Sequence, residues 1–188
     1  NGRPAIKAEG NVDRFKPMEA RFVRFTILQT NGGEPCIDEL AVFSPEEANV
    51  GREAKPSASG TLPGYDIHKL EHINDGYDGN SRSWISNTKG TGGAQLEFGK
   101  IETINRVEWA RDRKGLFKDR VPVKYTIELS VDGKNWSEVS SHRGRRQSPG
   151  ADIDRDALLR LLPLEAAARG QALMLEIAQA QRRLAELS

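Results

Sequence analysis

The segment from His72 to Trp84 is the richest in side chains that could bind a metal ion. This Asp-Gly loop, HINDGYDGNSRSW, sets carboxylate, amide and hydroxyl oxygens around two glycines and contains few apolar residues. Calcium takes about six to eight such oxygens, including backbone carbonyls that a tight glycine turn directs inward. The alternative is a plain turn held by its own side-chain hydrogen bonds. The candidate calcium ligands are His72, Asn74, Asp75, Asp78, Asn80, Ser81 and Ser83.

A second loop, which follows the strand-like segment bearing Trp109, is dense in charge. Sugar sites combine planar donors and acceptors, which match pairs of hydroxyl groups, with an aromatic face for the apolar side of the sugar ring. The alternative is that Arg113, Asp119 and Arg120 only brace the loop as ion pairs. The candidate ligand-binding residues are Arg111, Asp112, Arg113, Phe117, Asp119 and Arg120.

The sequence favours a binding protein over an enzyme. It contains no Gly-x-Ser-x-Gly, P-loop or His-Glu-x-x-His motif, which are signatures of common enzyme classes. His68 and His142 lack partners at metal-ligand spacing. Cys36 is the only cysteine and lies in an apolar stretch, so we expect a buried, inert thiol.

Composition narrows the range of partners. The 188 residues carry a formal net charge of +1, which provides no strong field to attract nucleic acid. No segment approaches the roughly 20 apolar residues of a membrane span. The amino terminus has no signal-peptide pattern, so either the protein is cytoplasmic or the chain is a fragment of a larger protein. Because it begins on strand-like sequence, we favour the fragment.

Up to about residue 150 the chain has the pattern of an all-β protein. Turn residues recur between short β-branched and aromatic runs, and Tyr125, Ile127 and Leu129 alternate with polar neighbours. The Asp-Gly turn in VDGKNW predicts a hairpin from Val121 to Val139. The predicted strands are Arg21 to Leu28, Ile37 to Phe43, Ala94 to Phe98, Ile104 to Ala110, Val121 to Ser130 and Trp136 to Val139.

The C-terminal part has helical periodicity. Pro163 suits a first helical turn, and we predict one helix over 164–187. Its apolar seam needs a partner, which is either another part of the parent protein or a second copy in a short coiled coil. The seam consists of Leu173, Ile177, Ala180, Leu184 and Leu187.

Four stretches resemble the discoidin family, also called the coagulation-factor type C domain. In chain order they are NVGREAKPSASG, LEHINDGYDGNSRSWISN, GGAQLEFGKIETINRVEWARDR and VPVKYTIELSVDGKNWSEV, and they cover about residues 49–139. The segments that normally close this fold come first here, as ARFVRFT and DELAVF. Either they are the tail of a preceding repeat or they complete the same sandwich in circularly permuted order. We favour permutation, because no second copy follows Val139 and an incomplete sandwich would expose apolar strand edges.

The resemblance implies an antiparallel jelly-roll β-sandwich of the galactose-binding-like kind with a C-terminal α-helical extension. It implies a structural calcium ion in the Asp-Gly loop, with Glu39 as a further ligand, and a ligand site on loops at one end. The implied domains are a permuted sandwich at 1–141, a linker at 142–153 that includes the RGRR run, and a helical extension at 154–188.

The implied function is a non-catalytic carbohydrate-binding module that tethers a larger protein to a glycan or polysaccharide. Permuted sequences of this kind resemble modules in secreted or periplasmic proteins of planctomycete-like bacteria, although similarity at the level of fold says little about chemistry. The alternative is a protein–protein interaction or scaffolding domain within a larger multidomain protein, which contacts other domains through the C-terminal helix.

Overall fold

The computed structural model describes residues 2–146 and seven residues of the C-terminal part. Those seven have helical backbone; they are Ala166, Arg169, Gly170, Ala172, Leu173, Glu176 and Arg183. The rest of the predicted helix and most of its apolar seam lie outside the described residues, so the helix stays a prediction. The chain divides into two units, Asn1–Gln147 and Ser148–Ser188.

The first unit is built almost entirely from antiparallel β-strands. They are β1 (Asn11–Thr30), β2 (Cys36–Ile37), β3 (Glu39–Phe43), β4 (Lys55–Ala58), β5 (Trp84–Ile85), β6 (Gly92–Ala110), β7 (Pro122–Ser130) and β8 (Ser137–Ser141). Two short 3-10 helices, Leu70–Asn74 and Asn80–Arg82, lie at the start of the Asp-Gly loop and near its end. The all-β, antiparallel prediction is confirmed for this unit. The jelly-roll assignment stays a prediction.

Six strands form one sheet in the order β3-β6-β1-β7-β8, with β4 also paired to β6. The predicted pairing of the early strands with the later part of the chain is confirmed. In β1, Phe25 lies opposite Ala94 of β6 and Ile127 of β7, and in β3 Glu39 lies opposite Ala110. The first 45 residues are therefore part of this sheet and do not form an independent unit.

A two-residue ladder, β2 with β5, forms a second sheet beside the Asp-Gly loop. Its Ile37 and Trp84 belong to the same apolar core as Phe25, Trp109 and Tyr125 of the large sheet. Those last three rings pack with centroids 5.1 to 5.2 Å apart. Aromatic side chains bury the largest apolar area per residue, so this cluster contributes strongly to the packing of β1, β6 and β7 around the core.

A buried carboxylate, Asp13 of β1, holds the two ends of this unit together. Tyr125 and Trp109 donate to it over 2.9 and 3.0 Å, and the Arg145 guanidinium lies 2.8 Å away. The Arg3 guanidinium also pairs with it. Burial, followed by the negative charge of Asp13, raises the pKa of the Tyr125 phenol. Since a buried charge is tolerated only when paired and hydrogen-bonded, the five residues form one interdependent group.

This group corrects the predicted linker at 142–153. Arg145 of the RGRR run has a side chain only 3% exposed, and backbone bonds join residue 3 to Gly144 and Arg146. Residues 142–146 are thus part of the β-unit, and residues 147–153 lie outside the described residues. The sequence reading was wrong here because a run of arginines usually lies in solvent.

The single cysteine and the three tryptophans differ in how deeply they are buried. Cys36 is buried, and burial raises the pKa of its thiol to about 11, which suits the predicted inert role. Trp84 and Trp109 are fully buried, whereas Trp136 is half-buried under the Arg24 guanidinium, 3.9 Å from the ring centroid. In the described part of the chain, no helix has the length and apolar character needed to cross a membrane.

We predict that Asp13→Asn lowers the free energy of unfolding by about 3–5 kcal/mol, because it leaves two guanidinium groups without their buried counter-charge. Urea denaturation measures this loss. The control is Glu138→Gln, whose carboxylate lies 3.9 Å from Arg143 on the surface and should cost less than about 1 kcal/mol. Equal effects of the two substitutions would contradict the role given to Asp13.

Candidate functional site

Two adjacent acidic side chains, Asp38 and Glu39, are buried where β3 begins. Asp38 Oδ2 accepts hydrogen bonds from the backbone N–H groups of Gly79 and Arg113, over 3.0 and 2.7 Å. Glu39 Oε2 accepts one from the Gly76 N–H over 3.0 Å. Among the described residues, the second oxygen of each carboxyl group has no hydrogen-bond partner. The acidic pair therefore joins two loops to the sheet, and one buried oxygen of each carboxyl group has no hydrogen-bond partner among the described residues.

The acidic pair concentrates negative charge in a buried place. Burial is the main cause that raises the pKa of Glu39 to about 7; the negative charges of Asp75 and Asp38 also raise it, while the Gly76 N–H and the charge of Arg113 lower it. Burial also raises the pKa of Asp38. At neutral pH the pair would be stabilised by a proton or by a bound cation.

The two glycines of the Asp-Gly loop allow its backbone to reach these carboxylates. Gly76 and Gly79 have φ of 79° and 106°, a region that side-chain-bearing residues rarely adopt. A Cβ atom on Gly79 would also lie 3.0 Å from the Cδ atom of Lys114. The spacing of the glycines in NDGYDG thus places two N–H donors against the acidic pair.

The polar side chains at the end of the Asp-Gly loop are engaged with other protein groups. Asn80 Oδ1 accepts a hydrogen bond of 2.7 Å from Arg111. The Ser83 hydroxyl donates to the Asn80 carbonyl over 2.9 Å and lies 2.8 Å from His68 Nδ1. These two predicted calcium ligands serve as internal braces.

The acidic residues of the loop are also paired. Asp75 accepts from the Tyr77 N–H over 2.9 Å and from Arg82 Nε over 2.8 Å. Asp78 Oδ1 lies 3.3 Å from Arg113 Nε. Both carboxylates therefore follow the alternative reading of the loop, in which its side chains stabilise the turn.

The remaining predicted ligands differ in exposure. Asn74 is buried and donates to the carbonyls of Gly51 and Ala54, and His72 Nδ1 lies 3.2 Å from the Ile67 carbonyl. Ser81 is exposed. No group of three or more His, Cys, Asp or Glu side chains in the described residues could hold a metal ion. Asp38 was not among the predicted ligands, although an acidic pair inside the apolar run CIDELAVF was a signal for it.

Arg111 and Asp112 of the charged loop are buried and act inside the protein. All three guanidinium nitrogens of Arg111 donate: to Asn80 Oδ1, to the Asp119 carbonyl over 3.0 Å and to Asp119 Oδ1 over 3.0 Å. Asp112 Oδ2 accepts from the N–H groups of Leu116 and Phe117 over 2.8 and 2.9 Å. Their predicted role as ligand contacts does not fit this geometry, because they use their polar atoms to shape the loop.

The other predicted ligand residues lie nearer the surface. Phe117 is 43% exposed, and its ring centroid lies 5.0 Å from Arg111 Cζ. Asp119 is more than half exposed, while Arg120 is ion-paired to Glu34 and adopts the left-handed conformation with φ of 59°. Arg113 is partly exposed beside Asp78. These four residues are accessible, but three also form the ion pairs of the alternative reading.

Exposed apolar side chains lie on both loops. Leu116 is 76% exposed and Tyr77 is 58% exposed, against 43% for Phe117. The loops touch through the Asp78–Arg113 and Asn80–Arg111 contacts. We call Tyr77, Arg113, Leu116 and Phe117 the loop surface. Tyr77 and Leu116 were not predicted as ligand-binding residues, because nothing in their spacing distinguishes an outward from an inward side chain.

We predict that Arg111→Ala lowers the free energy of unfolding by about 2–4 kcal/mol, because it removes a buried, charge-assisted brace and leaves Asn80 without its donor. Chemical denaturation measures the loss. Lys118→Ala on the same loop is the control: its exposed ammonium lies 3.8 Å from Glu9 and should contribute less than about 1 kcal/mol. A stable Arg111→Ala protein would refute the bracing role.

Comparison of the chain with models of known protein families found no match, and comparisons with curated proteins and with solved structures also found none.

Proposed function

We propose that this chain is a non-catalytic carbohydrate-binding module that tethers a larger secreted or periplasmic protein to a glycan through its loop surface. One observation carries the proposal: exposed aromatic rings and partly exposed charged groups lie on two loops that contact each other and that buried side chains brace. Preformed loops on a β-framework are where binding residues concentrate in such proteins.

The chemistry of the loop surface suits a hydroxyl-rich ligand. Tyr77 and Phe117 each offer an aromatic face to the apolar side of a sugar ring. Arg113 and Asp119, both on the charged loop, offer planar donors and acceptors to paired hydroxyl groups. Since the ions on these loops are largely paired, the surface has no strong excess of one charge to favour a polyanion.

The resemblance to the discoidin family supports this proposal at a finer level. The antiparallel ladders of β1 and β3 with β6 are what a permuted sandwich with its closing strands first requires. We propose the jelly-roll connection pattern on that basis. We assign no catalysis to the chain, because the two buried carboxyl groups accept backbone hydrogen bonds and hold loops in place.

We propose further that the Asp-Gly loop holds a structural calcium ion through a smaller set of side chains than the sequence suggested. Its carboxylate ligands would be Asp38 and Glu39, whose unpartnered oxygens are buried. Backbone carbonyls of the loop would complete the set, as hard cations accept such oxygens. The ion would balance the negative charge of the two buried carboxylates and lock the loop onto β3.

We predict that excess calcium raises the melting temperature, that a chelator lowers it, and that Glu39→Gln abolishes both effects. A ligand that binds only the folded state stabilises it by mass action. Glutamine still offers an oxygen to the Gly76 N–H, so the substitution removes charge with little change of shape. Differential scanning calorimetry with and without calcium measures the shift. Glu46→Gln, an exposed position on the loop after β3, is the matched control and should respond like the unchanged protein. A melting temperature indifferent to calcium would refute the site.

We predict that Phe117→Ala and Tyr77→Ala each weaken glycan binding about tenfold with little change in stability, because the loss of an exposed ring removes a ligand contact and few core contacts. A glycan array identifies the probe, and calorimetric titration with that glycan gives the affinity. Val131→Ala on the β7–β8 turn, 45% exposed, is the control. An array without signal would refute the proposal and favour the scaffolding alternative.

A further inference from the structure

A surface groove of about 510 Å³ lies along residues 61–71, which the sequence analysis did not select. Its volume falls in the range of small-molecule sites. The residues that line it include Thr61, Leu62, Tyr65, Asp66, His68, Lys69 and Glu71. None of these residues belongs to the loop surface.

Backbone and side-chain bonds to β5 hold the groove open. The Leu62 N–H donates to the Ile85 carbonyl over 2.8 Å. The buried Trp84 ring donates from Nε1 to the Gly60 carbonyl and to the Thr61 hydroxyl, over 3.2 and 3.1 Å. This part of the groove lining is thus anchored to the core.

A second part of the groove lining is anchored through His68. Its Nδ1 lies 2.8 Å from the Ser83 hydroxyl, and the Ser83 N–H donates to the Ile67 carbonyl over 3.3 Å. The Tyr65 ring packs against the His68 ring with centroids 5.8 Å apart, yet the tyrosine is 55% exposed. The groove therefore presents an aromatic face from a fixed support.

The charged groups in the groove favour a ligand without acidic groups. Asp66 is almost fully exposed and lies 3.2 Å from the Lys69 ammonium, and Glu71 is exposed beside them. Two carboxylates against one ammonium give a formal charge of −1. An acidic polysaccharide or a nucleic acid would be repelled by this excess. Carboxylates accept hydrogen bonds from hydroxyl pairs, and the tyrosine ring packs on apolar sugar faces.

We propose that this groove is a second saccharide-binding subsite, which takes an uncharged sugar unit on Tyr65 with Asp66 and Glu71 as hydrogen-bond acceptors. Hydrogen bonds connect it to the charged loop in the order His68, Ser83, Asn80 and Arg111. Binding in the groove does not require the loop surface to bind, so the two proposals can fail separately.

The test is a titration of the isotopically labelled chain, followed by amide chemical shifts. The probes are neutral oligosaccharides, namely β-1,4-linked glucose, mannose, galactose and N-acetylglucosamine oligomers and α-1,4-linked glucose oligomers, with oligogalacturonate as the acidic counter-probe. At least one neutral probe should shift the amides of Tyr65, Lys69 and Glu71. Tyr65→Ala should weaken the affinity for that probe, measured from the shifts of Lys69 and Glu71, about tenfold without changing the melting temperature. Ile67→Ala, exposed on the adjacent turn and outside the groove lining, is the matched control and should bind normally.

Each outcome decides between the two proposals. Shifts confined to Arg113, Leu116 and Phe117 would overturn the groove and leave the loop surface standing. Shifts confined to the groove would support it and count against the loop surface. A response to oligogalacturonate alone, or an effect of Ile67→Ala equal to that of Tyr65→Ala, would overturn the assignment of an uncharged sugar to Tyr65. No shift with any probe would overturn both.

Discussion

The β-unit depends on one buried charge, the carboxylate of Asp13. Its partners come from the first residues of the chain, from β6, from β7 and from the segment after β8. A carboxylate that is buried from water is tolerated only if it is paired with opposite charge and hydrogen-bonded in the folded protein. The pairing therefore couples the two ends of the unit. It also explains why the segment at 142–146 continues the sheet unit, although its composition is that of a solvated linker.

The acidic pair at Asp38 and Glu39 applies the same constraint to the loops. The chain passes here from β2 of the small ladder to β3 of the large sheet, and each carboxyl group uses one oxygen to accept a hydrogen bond from a glycine N–H of the Asp-Gly loop. Asp38 also holds the Arg113 N–H of the charged loop. Two loops distant in sequence are thereby fixed to a single strand. A shift of this pair would move both loops, and with them the loop surface.

Strands were predicted correctly from the sequence where the buried positions carry apolar side chains. They were not predicted where the buried positions carry polar side chains. The alternation of Tyr125, Ile127 and Leu129 identified β7, because one apolar face is the usual signature of a half-buried strand. The first half of β1 was missed, since its inward positions include Asn11 and Asp13. Predicted strands at 94–98 and 104–110 proved to be parts of one strand, β6, whose middle section contains Gly99 and Lys100 and breaks the apolar pattern.

The candidate site shows why residue type alone could not assign roles on the charged loop. Arg111 and Arg113 are two positions apart and chemically identical, yet one is buried with three internal acceptors and the other is partly exposed beside an aspartate. The difference arises from the loop opposite, because Asn80 and Asp78 present different atoms to them. Whether an arginine braces a loop or is available to bind a ligand depends on the residues that the tertiary structure places next to it. The side chains best suited to meet a ligand are therefore those left exposed after every brace is satisfied, and here they are aromatic and aliphatic residues between the charged ones.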